Sequence, residues 1–396
     1  MYIKSINLTL EDINYINDEL WQSFENFYSF CITTDGLAEN YNQPLPTDLI
    51  SASLSFFEEL KNSPENCLPD IGTRADCYFQ NFTPIWNLSN KKNKTLMLTV
   101  SDMVQNWEKE HNFLLHKGTL FYFWATTDIF NGNYDEGMII MHKTLGEDRR
   151  KDGFSRSPNT PAYYFITIKE GENAYLKQIT LTMAEFIKKR LEEYNKRGGN
   201  LQYDQFKSKF LDSKDNVCED LKFYFCFVIL RLKQLRIIQK HRNIADDQMA
   251  PLIFTGVISD LLLIIDGIFK IALSTTYTQP TYKKRIYFSD HLFETAKSKG
   301  WTTKTKSLDY EQEKGSCTGI TIETELKNNF DKTIQELINS KILTKPTPKL
   351  EADFWLSCGL RNYSAHTISS QKILWENFCE ILQSVFNILF LGIEKK

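Results

Sequence analysis

Near the end of the chain, Arg361-Asn362-Tyr363-Ser364-Ala365-His366 sets an arginine and a histidine five positions apart. Histidine titrates near neutral pH and can take or give a proton during a reaction. Arginine stays charged and presents a fork of donors that fits phosphate oxygens. Together they suit proton transfer beside a developing negative charge, with Asn362 placed to orient the site or hold the phosphate. The six residues continue an apolar helical pattern, Phe354-Trp355-Leu356-Ser357-Cys358-Gly359-Leu360. On a straight helix, positions five apart are roughly 140° out of phase. Arg361 and His366 can therefore meet on one phosphate only if the helix ends or bends between them, or if a second copy supplies the partner. The β-branched, hydroxyl-rich Thr367-Ile368-Ser369-Ser370 that follows is consistent with a break, and Ser369 or Ser370 could cap the next helix.

No other stretch has comparable chemical content. The chain has no Walker loop, GxGxxG, HExxH or GxSxG pattern. The remaining histidines, His111, His116, His142, His241 and His291, are scattered and read as surface or core-edge residues. Eight cysteines form no CxxC pair and lie beside no histidines at zinc-ligand spacing. They read as buried free thiols in a reducing cytosol, with no metal or cofactor implied. The formal charge of -3 excludes a globally basic nucleic-acid binder, but a local basic cleft is compatible with it.

The elements that must carry the motif are helical. Apolar residues make up 42% of the 396 and aromatics 13%, enough for sizeable cores, while only 17 glycines and 11 prolines argue against a turn-rich β fold. The fold class expected is mainly α, with an N-terminal helical domain over 1–245 and a four- to five-helix bundle over 250–396. Residues 243–251 are the best candidate boundary. Residues 162–168 could form a strand or a buried helix, since periodicity does not separate the two. Thr182-Met183-Ala184-Glu185 reads as a capping box that opens a helix, and Gly198-Gly199 ends it or the loop behind it. Residues 206–242 are mostly helical and end in a basic run: Arg231, Lys233, Arg236, Lys240, His241 and Arg242.

Beyond the boundary, residues 252–273 are apolar nearly all round. Asp260, Asp266 and Lys270 interrupt them, so they predict a central bundle helix rather than a membrane span. A short second helix is expected over 289–299. A third follows the 3-4 spacing from Ile322 to Ile342, a fourth covers 352–366, and an amphipathic fifth runs from Leu374 to the end. The N-terminus has no apolar leader or cleavage site, and a cytoplasmic protein is expected.

Two resemblances follow from these residues. The stretch 121–148 resembles a tetratricopeptide helix hairpin. Trp124-Ala125 lie in its first helix, Gly132 and Tyr134 at the turn, Gly137 at the close-packing position and Leu145 late in the second helix. The R-x4-H spacing, with Asn after Arg in a C-terminal helical bundle, resembles the motif of HEPN-type ribonucleases. The resemblance covers the last third of the chain and implies a homodimer whose two motifs form one composite active site. The reaction implied is metal-independent RNA cleavage by the ribose 2′-hydroxyl, giving a 2′,3′-cyclic phosphate and a 5′-hydroxyl. His366 would move the proton and Arg361 would stabilise the phosphorane, while Tyr363, Ser364 and Ala365 act as spacers. Family members often have an acidic residue on an earlier helix that steadies the arginine, and Asp266, then Asp260, are the candidates here.

RNA-holding candidates are Lys283, Lys284 and Arg285, then Lys297, Lys299, Lys304, Lys306 and the 231–242 helix. Tyr282, Tyr287, Phe288 and Trp301 lie nearby for base stacking. The resemblance implies a bacterial toxin or antiphage abortive-infection effector, with a protein trigger or an antitoxin as its partner. The alternative is a non-catalytic helical scaffold that dimerises through its C-terminal bundle and binds a protein.

Overall fold

A computed structural model describes residues 105–106, 108–110, 112, 117–130, 132–152, 159–169, 176–213, 216–240, 249–274, 297–301, 318–364 and 372–395. Helix accounts for 83% of the described residues, which makes the fold mainly α. The chain divides into two compact units, one ending at Phe165 and taking in Lys169–Gln178, the other formed by Ile166–Ile168 and Ile179–Lys396.

In the first unit, α1 (Gly118–Phe130) and α2 (Tyr134–Asp152) pack along each other as a helical hairpin. Gly132, at φ +81°, makes the turn, where the backbone N–H of Asn133 donates to the Asp128 carbonyl at 2.8 Å. Trp124, Ala125, Tyr134 and Leu145 are all buried between the helices. A Cβ added at Gly137 would stand 2.7 Å from Ile129 Cγ1 and 3.1 Å from the Ala125 carbonyl oxygen, so the two backbones cross where only glycine fits. An ionic group of the buried Glu108 and Lys117 with the more exposed Glu147 and Arg150 ties the residues before α1 to α2. In it Lys117 lies 3.7 Å from Glu147, and Arg150 lies 3.3 Å from Glu108.

The stretch left open between strand and helix is helical, as α3 (Pro161–Ile166). Its start explains the choice. Pro161 occupies the first helical position with φ preset, and Thr160 Oγ1 accepts from the N–H of Tyr163 at 3.4 Å.

The second unit opens with α4 (Lys177–Lys196), which buries Ile179, Met183, Ala184, Ile187, Leu191 and Tyr194 at helical spacing. The capping box expected at Thr182 lies inside this helix, because burial from Leu176 and Ile179 onward starts the helix earlier. Gly198-Gly199 does end it. The N–H of Gly198 bonds the Asn195 carbonyl, that of Gly199 bonds the Tyr194 carbonyl, and Gly198 has φ +100°. After α5 (Tyr203–Phe206) and a π-helical turn (Lys207–Leu211) come α6 (Asn216–Lys240) and α7 (Met249–Ser274), which pack on each other. The boundary expected over 243–251 falls within the span of this unit. The apolar face of α6, with Phe225, Val228, Ile229 and Leu232, has to be covered, and α7 helps to cover it.

The expected third helix is two, α8 (Thr318–Asn328) and α9 (Phe330–Ile338), because Asn329 takes a non-helical φ of -143° between them. A small antiparallel hairpin follows, β1 (Lys341–Ile342) with β2 (Lys345–Pro346), pairing Lys341 with Pro346 and Ile342 with Lys345. It was not foreseen, since two residues per strand leave no alternation to read. α10 (Lys349–Ser364), α11 (Lys372–Glu376) and α12 (Phe378–Lys395) complete the unit.

At the centre is α12, buried all round from Ile381 to Ile393 and packed against α7 and α10. α12, expected to be amphipathic, is thus enclosed on every side, while α7, expected to be central, packs on α6, α10, α11 and α12 but leaves Ile253 and Leu263 exposed. Residues 250–268 of α7 are long and apolar enough to cross a membrane, and 56% of that stretch is buried inside the unit. The short helix expected over 289–299 lies mostly outside the described residues.

α2 contains its own control for the glycine argument, since a Cβ at Gly146 would meet nothing within 4 Å. Gly146→Ala should stabilise the protein by up to about 1 kcal/mol through helix propensity. Gly137→Ala should destabilise it, because overpacking of about 1–3 kcal/mol exceeds the same gain. Thermal unfolding of the two variants decides it, and a Tm for Gly137→Ala at or above wild type would contradict the close crossing.

Candidate functional site

α10 carries the first four residues of the motif, Arg361 to Ser364, and it is anchored at both ends of its buried stretch. From Ala352 to Leu360 every residue is buried, and after this stretch the helix is again partly exposed at Arg361. Gly359 makes the closest approach. A Cβ there would lie 2.5 Å from Leu326 Cδ1 and 3.3 Å from Ile322 Cγ2, both on α8.

Toward the start of α10 sits a buried carboxylate. Asp353 is 1% exposed, and four donor groups surround it. Ser384 Oγ donates to Oδ1 at 2.7 Å and Asn387 Nδ2 to Oδ2 at 2.6 Å, both from α12. The Arg197 guanidinium, just past the end of α4, reaches Oδ2 at 3.1 Å and Oδ1 at 3.3 Å. Lys349 Nζ lies 3.9 Å from Oδ1. A second anion balances the second cation, as Glu380 stands 3.1 Å from Arg197 and 3.7 Å from Lys349. Around this core Ser357 Oγ donates to the Asp353 carbonyl at 2.9 Å, and Gln383 Nε2 donates to Asn387 Oδ1 at 2.7 Å and to the Arg190 carbonyl at 3.0 Å. A carboxylate held by donors from the end of α4 and from α12 fixes α10 against both.

The expected site residues are distributed as follows. Arg361 is half-buried in the last described turn of α10, with Asn362 next in the same helix. His366 lies outside the described residues, as do Lys283, Lys284 and Arg285, so the proposed meeting of Arg361 and His366 has no geometry here. Asp260 does not serve Arg361. It accepts from Tyr224 Oη at 2.5 Å and from Arg231 at 3.3 Å, both on α6, because it faces the neighbouring helix in the α6–α7 pair. Burial, with the Asp260 charge beside it, pushes the Tyr224 hydroxyl well above its ordinary range. Asp266 is 7% exposed on α7, which packs against α10. Lys297 and Lys299 are solvent-exposed, Lys299 lying 3.9 Å from Glu394. Among the described residues no group of three His, Cys, Asp or Glu side chains could hold a metal ion.

Sequence reasoning missed Asp353 and Arg197. A signal was present: Gln383, Ser384 and Asn387 fall within one turn of an otherwise apolar helix, and polar groups on a buried face require a polar partner.

Removing the buried anion leaves Arg197, Ser384 and Asn387 facing a void. Asp353→Ala should lower unfolding free energy by about 3–5 kcal/mol. Lys349→Ala, at a longer and wetter contact, should change it by about 1 kcal/mol or less. Urea titration measures both, and equal effects would contradict the central place of Asp353. No family model, no curated protein and no solved structure matches this chain.

Proposed function

We propose that the chain is a metal-independent endoribonuclease of the HEPN type, acting as a homodimer with a composite active site, in the role of a toxin or antiphage effector. The observation that carries the reading is the place of Arg361. It stands where α10 leaves the buried core after Leu360, and a cation can meet a polyanion only where its helix reaches solvent. The motif order, Arg361-Asn362 followed by His366, and the helical unit around it add support.

In this mechanism His366 takes the proton of a ribose 2′-hydroxyl, whose oxygen attacks the adjacent phosphorus. The bond from phosphorus to the 5′-oxygen breaks, and the leaving oxygen takes up a proton. Arg361 stabilises the charge on the non-bridging oxygens, and Asn362 holds the phosphate. The N-terminal region, with its tetratricopeptide-like hairpin, would receive the protein trigger or antitoxin. That hairpin also supports the second reading, a protein-binding scaffold without catalysis, because Ile139 on α2 is 67% exposed.

Purified wild type should cleave total RNA in EDTA and leave 2′,3′-cyclic phosphate ends. His366→Ala should lose on the order of a hundredfold or more in rate, the usual contribution of a general acid–base group. Equal cleavage by both proteins, or a requirement for magnesium, would overturn the mechanism. Inert wild-type protein that dimerises and captures a protein ligand would favour the scaffold.

A further inference from the structure

We infer that Arg197 is a positioning residue for Arg361, acting through Asp353 on the shared helix α10. For its catalytic consequence the inference rests on the ribonuclease reading above, while its structural part stands alone. Asp353 and Arg361 are eight positions apart on one continuous helix, so roughly 12 Å separates them along the axis. A helix between two fixed points has little freedom to turn or slide. One fixed point is Gly359, whose approach to Leu326 leaves no room for a Cβ. The other is Asp353, held from a different direction by Arg197 and by Ser384 and Asn387.

Of these holders Arg197 is the one that ties α10 to the end of α4, whereas Ser384 and Asn387 tie it to α12. It follows α4 directly, and the Gly198-Gly199 bonds to the α4 carbonyls fix where its backbone stands. Its guanidinium spans Asp353 and Glu380, 13% exposed, with each contact at about 3.1 Å. Such a forked, partly desolvated contact is strongly directional. Without it the carboxylate keeps its α12 hydrogen bonds but loses its nearest cation, and α10 is free to adjust until the charge is better solvated. The end of the helix that carries Arg361 then shifts, and a displacement of about 1 Å in a reacting group typically costs on the order of a hundredfold in rate.

The test uses the full-length protein with Arg197→Met and Arg197→Lys, read two ways. Hydrogen exchange of amides 354–364 should speed up about tenfold in Arg197→Met, with α8 and α9 unchanged, and Arg197→Lys should restore most of the protection. In RNA cleavage Arg197→Met should lower kcat by about 10–100-fold with KM within twofold, and Arg197→Lys should recover most of it. If wild type does not cleave RNA, the ribonuclease reading fails and the exchange result alone decides the clamp. Wild-type exchange over 354–364 in folded Arg197→Met overturns the inference, as does faster exchange with unchanged kcat in an active enzyme. Should Arg197→Met not fold, Ser384→Ala removes one hydrogen bond to Asp353 and no charge. It should show the same pattern at a few-fold, and behaviour identical to wild type in both readouts overturns the proposal.

Discussion

A carboxylate at 1% exposure persists only where donors enclose it, and at Asp353 that requirement sets where three helices meet. Arg197 brings the end of α4, Ser384 and Asn387 bring α12, and the carboxylate itself belongs to α10. None of the three can move far without uncovering charge. Glu380 and Lys349 extend the group toward solvent in alternating sign, so that the buried part stays neutral as a set. In this respect the unit is built outward from a polar centre, although most of its interior is hydrocarbon.

The apolar remainder is arranged around α12. Phe386 and Phe390 on that helix stand against Phe206 and Phe225, with ring centroids 5.7–6.3 Å apart and mostly in edge-on geometry. Tyr194 joins the cluster beside Phe390, and its hydroxyl donates to Glu394 at 2.6 Å. Burial, together with that carboxylate, holds the Tyr194 hydroxyl far above its ordinary range. Aromatic bulk at the centre and small residues at the crossings are complementary. Gly267 gives way to Leu221 between α7 and α6, as Gly359 does to Leu326 between α10 and α8.

Helix existence was legible because apolar spacing of three and four residues is a strong, local signal. α7 and α10 stand where that spacing puts them, while the stretch expected as one helix from Leu374 onward is two, α11 and α12, broken at Asn377. The turns at Gly132 and Gly198 were legible for the same reason, since a left-handed φ selects glycine. What was not legible depends on partners distant in sequence. Thr182 and Glu185 form a capping pattern by spacing, yet the packing of Ile179 against its neighbours overrides it. How completely an apolar helix is enclosed depends on the other helices, and so the burial of α12 on every side was not read from its amphipathic spacing. At the site, Arg361 could be picked out from its chemistry alone. Asp353 could not: the polar trio on α12 calls for a polar partner, but nothing in the sequence pairs it with this aspartate or with an arginine 156 residues away.

The polar trio on α12 has one more consequence. A helix apolar on every side fits its neighbours in many rotations and at many offsets, each burying nearly the same area. Gln383, Ser384 and Asn387 remove that degeneracy. If α12 slid by one turn or rotated by a residue, three amide and hydroxyl groups would face hydrocarbon while Asp353 lost its donors. Each such misarrangement carries a penalty of several unmade hydrogen bonds. Replacing the trio together with both Asp353 and Arg197 by apolar residues of similar volume would leave a bundle of comparable stability, but with no single packing that the chain must choose.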